Sequence, residues 1–229
     1  MSETINLEVF SDIEQGTPEW FAARCGIVTA SIVGQLVTAK TFKPAENETA
    51  RMLTNLLVAE RITGRVVEGF TSAAMERGKF DEPFAREAYS ENHAPVTEVG
   101  FMVREFDGYR IGYSPDGLVG DNGLIEIKSR EPKIHIATIL ADAVPAENIA
   151  QCQAGLLVSG REWIDYVSFC GGMPLWTKRV YPDIRWHLAI KEAVELLEAN
   201  AADILARYLE AVEGLPMTER HEPWEEMAL

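Results

Sequence analysis

The stretch YSPDGLVGDNGLIEIKS, residues 113–129, carries two acids and a lysine on what its pattern predicts to be a β-hairpin. Glu126 and Lys128 are two residues apart, so on a strand their side chains leave from the same face. Asp116 precedes them across a turn sequence, Asp-Asn-Gly, that ends at Gly123. A three-residue loop with Gly123 in the left-handed region would place Asp116 opposite Lys128 and diagonal to Glu126. A two-residue loop would instead turn Asp116 to the other face.

Two carboxylates beside a lysine suit the hydrolysis of a phosphodiester with divalent metal ions. The reaction needs a nucleophilic water and stabilisation of charge on the attacking and leaving oxygens, and two hard cations about 4 Å apart supply both. We predict that Asp116 bridges two Mg²⁺ ions, for which Mn²⁺ is an alternative. Glu126 and the carbonyl of Ile127 would complete the first ion site, and Glu82 with water the second. Lys128 would orient the attacking water and help to deprotonate it, since neighbouring cations lower the pKa of a lysine.

The remaining candidates for this site lie on two predicted helices. Glu82 shares a helical stripe with small and apolar side chains, but Pro83 follows it and should kink the helix or mark its first turn. The alternative acids nearby are Glu76, Asp81 and Glu87. A later helix carries Gln151 and Gln153, either of which could position the water or a phosphate oxygen.

The composition limits the kind of protein. At 229 residues the chain is long enough for one sizeable α/β domain and short for two. It contains no apolar run of membrane-spanning length and no basic segment at its N-terminus, so we expect neither a membrane span nor a secretory signal. Its three cysteines are widely spaced, which argues against a disulfide framework or a metal cluster and favours a reducing, cytoplasmic location.

The net charge of −15 looks unfavourable for an enzyme that acts on nucleic acid. However, ten of the 36 acidic residues lie between 192 and 226, in a predicted C-terminal helix and tail. Seven basic residues lie around the proposed site: Arg24, Lys40, Lys43, Lys79, Lys128, Arg130 and Lys133. Because a phosphate backbone responds to local positive charge, the composition disfavours coating of a duplex more than a cleft that grips one DNA end.

The predicted elements form one α/β domain over residues 1–229, with a core at about 18–182 and a C-terminal helix and acidic tail at about 183–229. Helices are predicted from Pro18, from Thr29-Ala30-Ser31, over 47–63, along 75–89, from Pro145 and over 184–212. Strands are predicted over 96–103, 109–113, 118–119, 124–128, 163–170 and 175–181, and a loop over 40–49. This order indicates a central mixed β-sheet flanked by helices.

The order of the motifs resembles that of the PD-(D/E)xK nuclease superfamily. An isolated E-x-K is usually a solvated surface feature, but here it follows several other motifs. They are R-x-G-x-x-T-A-S from Arg24, G-K-x-x-E ending at Glu82, S-P-D-G, E-I-K and the helix with two glutamines. More narrowly, the segment from about Trp20 to Val158 resembles phage lambda exonuclease and the YqaJ-type viral recombinase family. The resemblance implies a restriction-endonuclease-like core.

This resemblance also implies an activity and partners. In the family, the arginine and serine of the first motif bind a terminal 5′-phosphate together with the serine of S-P-D-G; the matching residues are Arg24, Ser31 and Ser114. The implied enzyme is a Mg²⁺-dependent 5′→3′ exonuclease that processively degrades one strand of linear double-stranded DNA to mononucleotides and leaves 3′ overhangs for recombination. A homotrimeric ring and a phage-type single-strand annealing protein are implied as well, with Trp224 and the acidic tail as candidate contacts.

Two other interpretations stay open at the level of sequence. The same fold could support an endonuclease or a resection nuclease related to RecB, although the scattered cysteines argue against the cluster-bearing members. A non-catalytic module that binds DNA ends or proteins could also retain the fold. Digestion of closed circular against linear DNA separates the first of these from an exonuclease, and an Asp116→Ala variant separates the second.

Overall fold

The computed structural model describes residues 6–66 and 72–220, which contain both strands and helices. The strands are β1 (Asn6–Phe10), β2 (Val28–Thr29), β3 (Val37–Thr38), β4 (Lys43–Pro44), β5 (Val96–Thr97), β6 (Phe101–Phe106), β7 (Tyr109–Tyr113), β8 (Gly117–Val119), β9 (Gly123–Ser129), β10 (Trp163–Phe169) and β11 (Trp176–Val180). The helices are α1 (Pro18–Arg24), α2 (Glu48–Thr63), α3 (Ala73–Asn92), α4 (Pro132–Ala141), α5 (Ala146–Ser159) and α6 (Ile184–Ala211).

Two mixed sheets frame the interior. One has the strand order β11-β10-β9-β8-β5, with β9 and β10 parallel and the other pairs antiparallel. The other has the order β1-β6-β7-β2, with β2 and β7 parallel. Helix α5 packs on β10 of the first sheet and on β6 and β7 of the second, and α3 packs against β9, β10 and β5. The predicted α/β fold with mixed β-structure flanked by helices is therefore confirmed.

Strand β9 is buried on both faces because its alternate residues enter two different cores. Leu124 belongs to the main core with side chains of α5 and α6, whereas Ile125 and Ile127 pack under α3. Glu126 and Lys128 follow Leu124 on the face toward α5. The apolar residues of this strand thus carry a carboxylate into a nearly closed interior, where it requires polar partners.

The β8–β9 hairpin differs from the predicted register. Gly117 lies opposite Ile125 and Val119 opposite Gly123, so the three-residue loop is 120–122 and its left-handed glycine is Gly120, at φ +52°. Continued by one residue, this register places Asp116 opposite Glu126, not opposite Lys128 as predicted. The shift has a steric reason, because a Cβ on Gly123 would stand 2.2 Å from the indole of Trp163 on β10. Gly123 is therefore needed in the strand, and Gly120 makes the turn.

Several other predicted elements need correction. The segment predicted to open a helix at Thr29 instead contains strand β2, followed by a single 3-10 turn at Val33–Gln35. The predicted loop at 40–49 contributes β4, which pairs with β3. Strand β1 and helix α4 were not expected. These short strands are fixed by pairing with residues distant in the chain, as Thr29 with Gly112, and local sequence patterns do not register such pairing.

Helix ends agree better with prediction because their signals are local. Asn47 caps α2 by accepting a hydrogen bond from the amide of Ala50, and Gly64 ends it in the left-handed conformation. Pro83 proves to lie well inside α3, which continues on both sides of it. None of the helices within the described ranges is long and apolar enough to span a membrane.

Candidate active site

A pocket of about 420 Å³ gathers residues from both sheets and three helices. Its walls include all but one of the predicted site residues: Arg24, Ser31, Glu82, Ser114, Asp116, Glu126, Ile127, Lys128 and Gln151. Segments that are far apart in sequence therefore meet at one cavity. The missing member is Gln153.

Glu126 lies at the closed end of this pocket and is only 1% exposed. Its Oε1 accepts hydrogen bonds from Lys128 Nζ at 2.7 Å and from the side-chain amide of Gln151. Its Oε2 accepts a third, from the hydroxyl of Tyr113 at 3.2 Å. Three donors around one carboxylate fix its orientation.

Asp116 lies directly before the first residue of β8, beside β9. Its Oδ2 accepts a hydrogen bond of 2.6 Å from the backbone N–H of Ile127. Because the N–H and C=O of a strand residue point to the same side, the Ile127 carbonyl faces the same side as Asp116. Burial, together with the negative charge of Glu126, raises the pKa of Asp116 well above its ordinary value. The two carboxylates thus repel each other in a poorly solvated place.

Glu82 borders the same pocket from α3 but is turned toward Arg86, one helical turn further on. Burial raises its pKa, and the positive charge of Arg86 opposes this shift. The alternative acids are less suitable. Glu76 and Glu87 are exposed, and Asp81 accepts a hydrogen bond of 2.6 Å from Ser129. Glu82 therefore remains the acid of α3 that is best placed to join the hairpin carboxylates.

The oxygen atoms of these residues are the type of ligand that a hard divalent cation binds. Asp116, Glu126, Glu82 and the Ile127 carbonyl offer oxygen ligands, which suit Mg²⁺ or Mn²⁺ better than softer metals. The raised pKa values of Asp116 and Glu82 mark negative charge that a cation would neutralise. Within residues 6–66 and 72–220, however, no three acidic, histidine or cysteine side chains are already grouped as a metal site. A third carboxylate would come from Glu82, which borders the same pocket while its Oε1 contacts Arg86.

Lys128 is held as a cation in this arrangement. Burial alone would lower its pKa, but the charges of Glu126 and Asp116 and the hydrogen bond to Glu126 raise it above the ordinary value. Bound cations were predicted to lower this pKa, whereas the two carboxylates by themselves raise it. Lys128 is therefore a hydrogen-bond donor to Glu126 in this arrangement.

Arg24, Ser31 and Ser114 occupy another wall of the pocket. The guanidinium of Arg24 lies 4.1 Å from the ring centroid of Trp20, whose indole N–H donates to Ser114 Oγ at 2.8 Å. Arg24 also donates to Thr29 Oγ1 at 3.5 Å, and Thr29 contacts Ser31 at 3.2 Å. A cation with two hydroxyls on one wall is a suitable binding site for an anion.

The two glutamines of α5 have different roles. Gln151 reaches Glu126, whereas the amide of Gln153 donates to the carbonyl of Tyr181 at 2.8 Å and accepts from the N–H of Asp183 at 2.8 Å. Residues two apart on a helix point about 200° apart, so both cannot enter one pocket. The assignment of Gln153 to the active site is therefore wrong, because this side chain joins α5 to the start of α6.

Sequence reasoning missed two residues that orient the site. Tyr113 binds Glu126, and Trp20 contacts both Arg24 and Ser114. A usable signal existed for Tyr113: it sits at the end of a strand directly before the S-P-D-G motif, and a buried tyrosine needs a partner for its hydroxyl. For Trp20 the contact with Ser114 spans 94 positions, which no local pattern records.

The mixed α/β architecture and the acid–acid–lysine constellation at a hairpin define the restriction-endonuclease-like class of proteins. Within that class, the YqaJ-like viral recombinase domain matches residues 19–162, and the chain belongs to this family. An alkaline exonuclease from Laribacter hongkongensis has a similar structure, with 34% sequence identity and a TM-score of 0.76 over 87% of this chain and 100% of that one. The structure of that exonuclease with dAMP matches equally well.

A more distant likeness supports the fold alone. A phage-related exonuclease from Haemophilus somnus 129PT matches with a TM-score of 0.64 at 13% identity, over 80% of this chain and 96% of that one. A search of curated proteins finds no match to the chain. Proteins of 34% and 13% identity thus share this fold.

Proposed function

We propose that the protein is a Mg²⁺-dependent 5′→3′ exonuclease that degrades one strand of linear double-stranded DNA to mononucleotides and leaves 3′ overhangs. One observation carries this proposal: Asp116, Glu126 and Lys128 line a single pocket together with Arg24, Ser31 and Ser114, the residues proposed to bind a terminal phosphate. The similarity to an alkaline exonuclease from Laribacter hongkongensis supports the reaction class. The whole chain, 1–229, would act as one nuclease domain.

The residues of the constellation have separable tasks. Bound Mg²⁺, or Mn²⁺ in its place, would supply Lewis acidity and an activated water, held by Asp116, Glu126, the Ile127 carbonyl and Glu82. Lys128 lies 2.7 Å from Glu126 and so has its ammonium beside the same oxygen ligands, where it orients the attacking water and carries a proton. Gln151 donates to the same Glu126 oxygen and keeps that carboxylate in its rotamer.

The anion site supplies the end preference. A terminal 5′-phosphate bound by Arg24, Ser31 and Ser114 would leave the next phosphodiester of the same strand over the carboxylates, because both groups border one cavity. Cleavage there releases one nucleotide with its 5′-phosphate. The new 5′ end can then occupy the vacated site, which gives stepwise degradation from 5′ to 3′.

Assembly and partners are part of the same proposal. A homotrimeric ring around DNA would give processivity by enclosure, which suits a chain of net charge −15 better than strong electrostatic holding. A phage-type single-strand annealing protein would receive the 3′ overhang, in the cytoplasm. Trp224, a candidate contact for that protein, lies outside the described residues.

A linear duplex labelled on one strand at a time tests this function. The expected result is loss of each strand from its 5′ end to mononucleotides, with Mg²⁺ and not with a chelator, and with faster attack on 5′-phosphorylated ends. Closed circular DNA of the same sequence is the matched control and should stay intact. Cleavage of the circle would show an endonuclease, and digestion from 3′ ends would overturn the assigned polarity.

A further inference from the structure

Arg86 connects the two chain segments that bring carboxylates to the pocket. From α3 its guanidinium contacts Glu82 on the preceding turn, and its Nε donates to the backbone carbonyl of Asp116 at 2.9 Å. A third contact reaches Glu98 at 2.9 Å on the solvent side. The Arg86 side chain is 15% exposed, while that of Glu98 is 71% exposed. The contacts toward the pocket are therefore the better shielded ones.

The turn of α3 that carries Glu82 lacks one of its own constraints. Pro83 has no N–H, so the carbonyl of Lys79 loses the helical hydrogen bond that residue 83 would donate. The side-chain link from Arg86 back to Glu82 covers the next turn, 82–86, and so ties the end of the weakened turn to the regular helix that follows. A planar guanidinium can hold a carboxylate and a carbonyl in fixed relative positions, which a point-like ammonium cannot do.

We infer that Arg86 is a positioning residue for the second metal ion: it holds Glu82 and the Asp116 segment at the spacing that this ion requires. The inference rests on the proposed function, since it assigns a partner within that site. Two forces act in opposite directions at Arg86, because its positive charge repels a cation while its contacts orient the ligands. The geometry predicts that orientation dominates, since both ligand-bearing segments meet at this one side chain.

An Arg86→Lys variant separates these two forces because it keeps the positive charge and removes the planar guanidinium that contacts both partners. The experiment measures Mn²⁺ binding to the protein in the absence of DNA. The electron paramagnetic resonance signal of the unbound ion reports how much Mn²⁺ remains free. Wild type should bind two ions, and the variant should keep one unchanged and bind the second about tenfold more weakly, as is usual when a residue that orients ligands is lost. Glu98→Gln, which removes only the exposed partner of Arg86, should change neither affinity by more than about twofold.

A second readout uses nuclease activity. The Mg²⁺ concentration for half-maximal rate should rise about tenfold in the lysine variant, with the rate at saturating Mg²⁺ within about threefold of wild type. A merely structural role would lower the rate at saturating Mg²⁺ without raising the Mg²⁺ concentration needed for half-maximal rate. The loss should also disappear in a Glu82→Gln background, because Arg86 would then have no second ligand to position. Should the lysine variant fail to fold, Arg86→Gln replaces it. Because glutamine also removes the repelling charge, weaker binding of the second ion by this variant would support the orienting role, and unchanged or tighter binding would overturn it.

The inference and the proposed function fail in different ways. Wild-type-like Mn²⁺ binding by the lysine variant, or an equal loss in Glu98→Gln, overturns the role of Arg86 whatever the enzyme cleaves. Inactivity of wild type on linear duplex overturns the proposed function, while weaker binding of the second ion by the variant would still support the role of Arg86.

Discussion

Gln151 and Gln153 lie on the same helix, two residues apart, and should fail in opposite ways when each is replaced by alanine. Gln151 is partly exposed in the pocket and contacts Glu126, whereas Gln153 is 2% exposed and joins two backbone groups at the start of α6. Gln151→Ala should lower the catalytic rate and leave stability nearly unchanged. Gln153→Ala should lower stability and leave the rate of the folded enzyme nearly unchanged.

The expected magnitudes follow from these contacts. Gln153 makes two hydrogen bonds of 2.8 Å, each of which contributes about 1 kcal/mol net, and its loss leaves the Tyr181 carbonyl and the Asp183 N–H without their partner. A total of about 2–3 kcal/mol lowers the Tm by roughly 4–12 °C for a chain of this length. Loss of the Gln151 amide frees one side of Glu126. Misplacing a catalytic carboxylate by about 1 Å costs about 100-fold in rate.

Both variants would be measured by thermal unfolding and by steady-state digestion of a 5′-phosphorylated linear duplex at saturating Mg²⁺. The pair is its own control, since helix, substitution and change in side-chain size are the same. A Gln151→Ala enzyme with a kcat within about threefold of wild type would refute the role of the amide at Glu126. A Gln153→Ala protein that keeps its Tm but loses its activity would return that residue to the active site.

Three further outcomes are expected. Lys128→Ala should abolish cleavage and spare duplex binding in a gel-shift assay, and turnover within about tenfold of wild type would remove the lysine from the mechanism. Arg24→Ala should slow digestion of 5′-phosphorylated ends more than of 5′-hydroxyl ends, and equal slowing of both would contradict the phosphate site. His187, whose Nε2 is buried without a hydrogen-bond partner in the described structure, has a pKa lowered by burial from 6.5. Since the unfolded chain then binds the proton more readily, the free energy of unfolding should fall as pH drops below about 6.5. His187→Gln should reduce this fall in urea titrations, and an unchanged pH dependence would contradict the assignment.

The parts of the fold that were predictable are those with local causes. Asn47 and Gly64 mark the ends of α2 because a cap is a contact within one turn. Strand β1 was missed because its polar–apolar alternation covers only five residues, and the strand is held by pairing with β6 more than 90 residues away. The same reason applies to Thr29, whose helix-start pattern is overridden by its parallel pairing beside Gly112. Local patterns describe local energies, and these strands depend on distant ones.

In the site, too, the contacts within one element were predictable and the contacts between distant segments were not. Glu126 and Lys128 could be placed together because the two-residue repeat of a strand fixes which side chains share a face. The opposition of Asp116 to Glu126 depended on the loop, and the loop was set by the contact of Gly123 with Trp163 from another strand. The contact between Glu82 and Arg86 is within reach of a helical pattern at four-residue spacing. The other contact of Arg86, with the backbone carbonyl of Asp116, joins distant segments and cannot be predicted from such a pattern.

The charge balance of the pocket couples substrate and cations. The carboxylates of Glu82, Asp116 and Glu126 meet there with two cations in direct contact, Arg86 and Lys128, and burial strengthens the repulsion between the carboxylates. A DNA phosphate entering beside those carboxylates would be repelled, although Arg24 attracts it on the opposite wall. Bound divalent ions would make the electrostatic potential positive only near the carboxylates, which is where the proposed scissile phosphate would lie. An acidic protein can therefore bind a polyanion at one defined place. In a catalytically inactive Lys128→Ala background, we expect the affinity for DNA ends to rise steeply with Mg²⁺ concentration. An affinity that does not depend on Mg²⁺ would contradict this coupling.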